Sequence, residues 1–251
     1  MRYISNTAPE QKAMLDTIGA ASIEELLSRV PAKARLERPL DLPPAAAELD
    51  LIREMRGLAA ANADVNGYAC FLGGGAYDHF VPGVINHMIL RGEFFTAYTP
   101  YQPEASQGTL RTIYEYQTMM AELTGMDVAN ASIYDGASSL AEAALMAASV
   151  TSRHEIVLAA GVNPLYRHVT ETYCDGPGVK LRTLPSPAGV FDADAAQKLV
   201  DAKKTAALVI QTPNFYGCLE DVAAAAEIAH AAGALLVVVA DPVNQIGRAH
   251  V

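Results

Sequence analysis

From about Asn130 onward the chain alternates short, almost wholly apolar runs with longer amphipathic ones, and this pattern restricts its fold more than any other feature. The runs "EIVLAA" (155–160), "VKLRTLP" (179–185), "AALVIQT" (206–212) and "ALLVVVA" (234–240) read as strands, and "VANASIY" (128–134) reads as one more. Between them "SSLAEAALMAASV", "PLYRHVTETYC", "ADAAQKLVDA" and "DVAAAAEIAHAAG" read as helices. Continuously apolar strands separated by helices of this length predict an α/β fold. Its sheet is mostly parallel with helices on both faces, because parallel strands need crossovers that cover the sheet. Ligands of such sheets bind beyond the carboxyl ends of the strands. Attention therefore falls on "YDGASS", "AGVNP", "TPNFYG" and "ADPVN".

Composition removes several alternatives. A net charge of −10 with no basic run lacks the footprint that phosphate-backbone binding needs, so no nucleic-acid partner is expected. The start "MRYISNTAPEQK" has no apolar secretory segment and the longest apolar run, Ala234–Ala240, is far shorter than a membrane span. No membrane partner is expected, and the location is read as cytoplasmic. Cys70, Cys174 and Cys218 lie far apart without a C-x-x-C pair, which speaks against a disulfide framework and a metal cluster. At 251 residues and 51% hydrophobic content the chain has ample material for a core.

Residues 1–66 read as a peripheral helical arm. "SIEELLSRVP" carries a capping box, Ser22 with Glu25, and Pro31 stops the helix. A second helix is expected in "LPPAAAELDLIREMRGLAAAN", with Pro44 near its first turn and Leu49, Ile52, Met55 and Leu58 on one stripe. Residues 67–245 are expected to form the α/β domain.

Within that domain Asp135 or Ser138 is placed to cap a helix, with Gly136 in the turn, where free backbone N–H groups suit an anion. The same residues are also ordinary turn formers. Asp241 ends the last strand, where a carboxylate suits a cation such as a protonated ring nitrogen or simply closes a turn. The Gly73–Gly75 run is a binding loop or a bend, and His79 reads as a surface histidine or one satisfied by a hydrogen-bond partner rather than a catalyst. No G-x-G-x-x-G, Walker, G-x-S-x-G or H-E-x-x-H motif occurs. A well-marked helix begins at Ser106 or Gln107 and ends at Gly125. Before it, Phe94 and Phe95 are expected in the core. Tyr98 and Tyr101 are held on an extended loop by Pro100 and Pro103, as rigid rings with polar tips that suit an interface or pocket wall, or else pack on each other as a surface loop.

Three segments carry a family likeness. "FFTAYTPYQPEASQGTL", "IYEYQTMMAELTGMDVANASIYDGAS" and "QTPNFYG" together resemble the first, alpha, subunit of two-subunit glycine decarboxylase, the P protein of the glycine cleavage system. The likeness runs from "RYISNT" to about Val243. It implies the large domain of a fold type I pyridoxal-phosphate (PLP) transferase, truncated at its carboxyl end. It also implies a heterodimer in which the beta subunit supplies the lysine that binds PLP covalently. Glycine is then decarboxylated and its aminomethyl group passes to the lipoyl group of the H protein. On this likeness Tyr98, Tyr101 and Gln102 act across the subunit boundary, while Asp135, Gly136, Ser138 and Asp241 match the cofactor-binding positions of a retired half-site. Asn163 stands where a ring-stacking residue is expected, a departure from the pattern. The likeness implies further strands, so the last strand is expected to leave an open edge and the fragment to be inactive by itself. "IGRAHV" also matches one reading frame of a sequencing adapter, so residues 246–251 are expected to be an artefactual tail. The alternative function is a non-catalytic partner that only stabilises its companion.

Overall fold

The computed structural model describes residues 5–245, apart from residues 37, 66, 72, 75–78 and 97. Gly75 and the expected tail at 246–251 lie outside the described residues. The chain divides into two compact units, Met1–Tyr68 and Ala69–Val251.

The first unit holds helix α1 (Ala8–Ile18), the short α2 (Ile23–Leu26) continuing into a 3-10 turn at Leu27–Arg29, and α3 (Glu48–Ala60). Helix α1 was not singled out from the sequence, although Thr7 and Glu10 form a capping box and Gly19 closes it at φ 79°. At α2 the expected box is rearranged. Ser22 Oγ accepts from the Glu25 N–H at 3.2 Å, but the Glu25 carboxylate accepts from the Ala21 N–H at 2.6 Å. Helix α3 starts later than expected, because Pro43 and Pro44 lack N–H groups and hold the preceding backbone extended. Its stripe of Leu49, Ile52, Met55 and Leu58 is exposed.

The second unit is built on a parallel sheet of β1 (Glu155–Ala159), β2 (Lys180–Leu184), β3 (Thr205–Thr212) and β4 (Leu235–Ala240), ordered β2-β1-β3-β4. Ahead of the sheet come α4 (Gly83–Ile89), α5 (Gly92–Phe95), α6 (Gln107–Thr124) and α7 (Gly136–Thr151). Between the strands lie α8 (Pro164–Asp175), α9 (Ala193–Leu199) and α10 (Val222–Ala231). Helices α7 and α8 pack on each other, as do α9 and α10. The central strands β1 and β3 are buried along their whole length, which explains their unbroken apolar runs. Ile156, Leu158, Leu208 and Ile210 are among the side chains wholly removed from water, each worth about 1.5–3 kcal/mol of burial. The outer strand β2 carries exposed Lys180 and Arg182, charges that discourage edge-to-edge pairing.

The expected strand at 128–134 is absent. Its residues make no ladder, Ser132 sits at φ 82°, and the Ser132 N–H donates to Asn130 Oδ1 at 3.0 Å. A local Asx turn takes the backbone group that a ladder would need.

At the amino edge of the sheet Arg153 ties three elements together. Its guanidinium donates to the carbonyls of Thr205, Ala232 and Gly233 at 2.9, 3.1 and 2.9 Å. Two of these are carbonyls that follow α10 and have no helical partner of their own. Replacing Arg153 with Ala is expected to cost about 2–3 kcal/mol in urea unfolding; a change below about 0.5 kcal/mol would show that the three bonds contribute nothing net.

Candidate functional site

The chain runs from β1 outward to β2 and then back across to β3, so the direction of travel reverses between β1 and β3. In open α/β sheets this is where ligands enter. Here the protein fills the place itself. Asn214 is completely buried, and its amide donates to Gly189 O at 2.7 Å and to Glu220 Oε1 at 2.8 Å. Its Oδ1 accepts from the N–H groups of Tyr216 and Cys218, both at 3.0 Å. Glu220 Oε2 accepts from the Phe191 N–H at 2.9 Å, and the Phe215 N–H donates to Gly161 O at 2.7 Å. A Cβ on Gly161 would come within 3.0 Å of Asn214 Nδ2 and 3.1 Å of Glu220 Oε1. Neither Asn214 nor Glu220 was singled out from the sequence. The signal present was an Asn directly after the Pro that ends a buried strand.

At the start of α7, Asp135 is the N-cap. Its Oδ1 accepts from the Ser138 N–H at 2.7 Å and its Oδ2 from the Ser138 hydroxyl at 3.1 Å. A Cβ on Gly136 would stand 2.7 Å from the Tyr166 hydroxyl, so a larger residue there would make that ring shift. Asp135, Gly136 and Ser138 are thus brought together, but the anion at this helix terminus is the protein's own carboxylate. A phosphate ester would meet that charge and find the Ser138 donors taken, so the arrangement does not fit PLP. The Ser138 N–H holds the Asp135 carboxyl below the usual aspartate range. A depressed folded pKa gives stability that is complete above the unfolded value, about 3.9, and is lost as pH falls through the folded value. Asp135→Asn is therefore expected to keep the cap near neutrality and flatten the acid limb of a stability–pH curve. An unchanged acid limb would remove Asp135 from that role.

Asp241 ends β4 and is engaged at both oxygens. Oδ1 accepts from the Val243 N–H at 2.8 Å and Oδ2 lies 3.1 Å from His79 Nε2. Asn163 accepts from the Leu165 N–H at 2.9 Å as the N-cap of α8. Lys180 opens β2 at its amino end, while Lys203 and Lys204 precede β3 in a turn around Asp201. Among the described residues no lysine stands at the carboxyl edge of the sheet, and no group of three His, Cys, Asp or Glu side chains is gathered to hold a metal.

The tyrosine loop is the other candidate. Tyr98 and Tyr101 are 82% and 76% exposed, with ring centroids 6.2 Å apart and planes tilted by 43°. The loop is closed onto α6 by the N–H groups of Ala105 and Ser106, which donate to Gln102 O at 3.1 and 2.9 Å. Helix α6 then runs as expected from Gln107 to Gly125, the latter at φ 71°. Phe94 and Phe95 are exposed rather than in the core, because α5 is a single turn with no residue buried. An open groove of about 910 Å³ runs along α6, lined by Pro103, Arg111, Tyr114 and Met119 among others. None of Asp135, Gly136, Ser138 or Asp241 lines it. No described helix is long and apolar enough to cross a membrane.

The family model described as glycine cleavage system P-protein matches residues 1–246. A protein of Carboxydothermus hydrogenoformans named probable glycine dehydrogenase (decarboxylating) subunit 1 is 49% identical over 244 residues, 97% of this chain and 55% of that protein. The like-named protein of Chlorobium phaeobacteroides is 50% identical over 247 residues, again 97% of this chain and 55% of its own length. The chain thus spans about half the length of the curated relatives it matches. A crystal structure of glycine decarboxylase (P-protein) of the glycine cleavage system, in inhibitor-bound form, superposes with a TM-score of 0.71 at 47% identity, covering 96% of this chain and 54% of that one. A NifS-like protein superposes at 0.51 with 16% identity, over 63% of this chain and 45% of its own, a likeness of fold alone.

Proposed function

This chain belongs to the glycine cleavage system P-protein family, and from that premise we propose that it works as part of subunit 1 of a two-subunit glycine decarboxylase. In this reading the protein acts on glycine together with a second, beta, subunit, and the aminomethyl product passes to the lipoyl group of an H protein. PLP is assigned to the lysine of the beta subunit, because the corresponding positions of this chain are occupied by its own side chains. The supporting observation is the exposure of Tyr98 and Tyr101 on a proline-braced loop, with no core among the described residues closing over them.

The part assigned to this chain is positioning. Two rigid rings supply a wall that excludes water from the partner's cavity, and their hydroxyls supply donors aimed at charge that develops during the reaction. Gln102 sits one residue beyond Tyr101 and completes the polar rim. The alternative of a purely stabilising companion predicts that the tyrosine hydroxyls are dispensable. The full-length protein with its partner subunit is expected to exchange labelled bicarbonate into glycine, while either subunit alone does not. Exchange by the full-length protein alone would overturn the reading.

A further inference from the structure

Asp241 and His79 are separated by 162 positions in the chain, yet their side chains meet at 3.1 Å beyond the carboxyl end of β4. Asp241 is the better shielded of the two, its side chain 19% exposed against 54% for His79. Its second oxygen is held by the Val243 N–H, which fixes the carboxylate in the turn at Pro242–Gln245. An ionised carboxylate only accepts, so a hydrogen bond here needs the proton on His79 Nε2. The carboxylate is itself held in place.

Its place in the chain gives it a consequence. His79 stands at the start of the segment that carries α4, α5 and the tyrosine loop, and α6 stands at the end of it. Helix α6 approaches the same turn that Asp241 opens. The segment is thus flanked by two contacts with the turn after β4, His79 on Asp241 and α6 on Pro242–Gln245, while α4 and α5 between them bury no residue of their own. With so little core, the segment takes its placement from its two ends. We propose that the His79–Asp241 pair is the tie that positions the Tyr98–Gln102 loop relative to the sheet, so that Asp241 acts in the reaction through the tyrosines. This rests on the role given to the loop above. His79 and Asp241 are positioning residues, since nothing places them against the reacting atoms.

The test is a double-mutant cycle in the full-length protein bound to its partner subunit, read as glycine–bicarbonate exchange. Asp241→Ala and His79→Ala are each expected to lower kcat ten- to a hundredfold, the scale of a misplacement near 1 Å, with little change in unfolding temperature. His79→Gln keeps a donor at a similar reach and is expected to recover most of the loss. In the Tyr98→Phe background Asp241→Ala is expected to cost little more, because coupled residues are not additive. Full additivity with a folded protein would overturn the tie while leaving the loop's role intact. No effect of Tyr98→Phe alone would instead overturn the loop's role. Should Asp241→Ala fail to fold, the exposed His79→Ala and His79→Gln pair decides: equal activity in both contradicts the proposal.

Discussion

Tyr98→Phe and Tyr101→Phe, each made in the full-length protein bound to its partner subunit, are expected to lower glycine decarboxylation at least tenfold without weakening assembly. The separation follows from chemistry. Phenylalanine keeps the ring, and with it the apolar area that an interface would bury, but removes the hydroxyl donor. Loss of one preorganised donor at a site of developing charge lowers kcat by about 10²–10³ where the donor is fully engaged. Substitution by Ala at either position removes the ring as well and is expected to weaken subunit association in addition, as aromatic anchors commonly do. Steady-state exchange together with a sedimentation measurement separates the effects. Wild-type turnover in both Phe variants would leave the loop a structural contact and favour the purely stabilising companion.

Asn214→Ala carries the largest expected effect on the fold, about 3–5 kcal/mol in urea unfolding. Four hydrogen bonds converge on this one buried amide, from Gly189, Tyr216, Cys218 and Glu220. Truncation leaves a carboxylate oxygen, a carbonyl and two N–H groups without that partner in a place water enters poorly, and each such group costs about 1–3 kcal/mol. Partial relaxation and water entry keep the sum below the arithmetic maximum. Against the 5–15 kcal/mol of a whole domain such a loss is large. Asn214→Asp is expected to be no better, since the new carboxylate would face Glu220 where the amide donates. A loss below about 1 kcal/mol for Asn214→Ala would mean that the loops hold their geometry without the amide.

The sheet domain was legible from the sequence because its signals are local and strong. The apolar runs of β1 and β3 and the capped helices between them match the structure closely, since burial on both faces demands such runs. The 128–134 segment misled because alternation specifies a strand only when a neighbour offers a ladder, and Asn130 offers its own turn instead. Phe94 and Phe95 misled through composition, as aromatic residues are usually buried but a one-turn helix has no interior to bury them in. At the candidate site the Asp135 cap could be read, because its partner Ser138 lies three residues on. The pairings of Asp241 with His79 and of Asn214 with Gly189 could not. They join segments whose approach is set by the tertiary fold, whereas Asn214 and Glu220 lie six residues apart in one loop, where no standard turn or cap spacing marks them as partners.

The central claim, that the Tyr98–Tyr101 loop faces a second polypeptide, is tested most directly by placing a photo-reactive phenylalanine at position 98 of the full-length protein and irradiating it with the partner subunit present. The expected product is a covalent adduct between the two subunits, mapped by mass spectrometry to the walls of the partner's lysine-bearing cavity. Adducts formed only within the same chain, in a preparation where the two subunits are demonstrably associated, would contradict it.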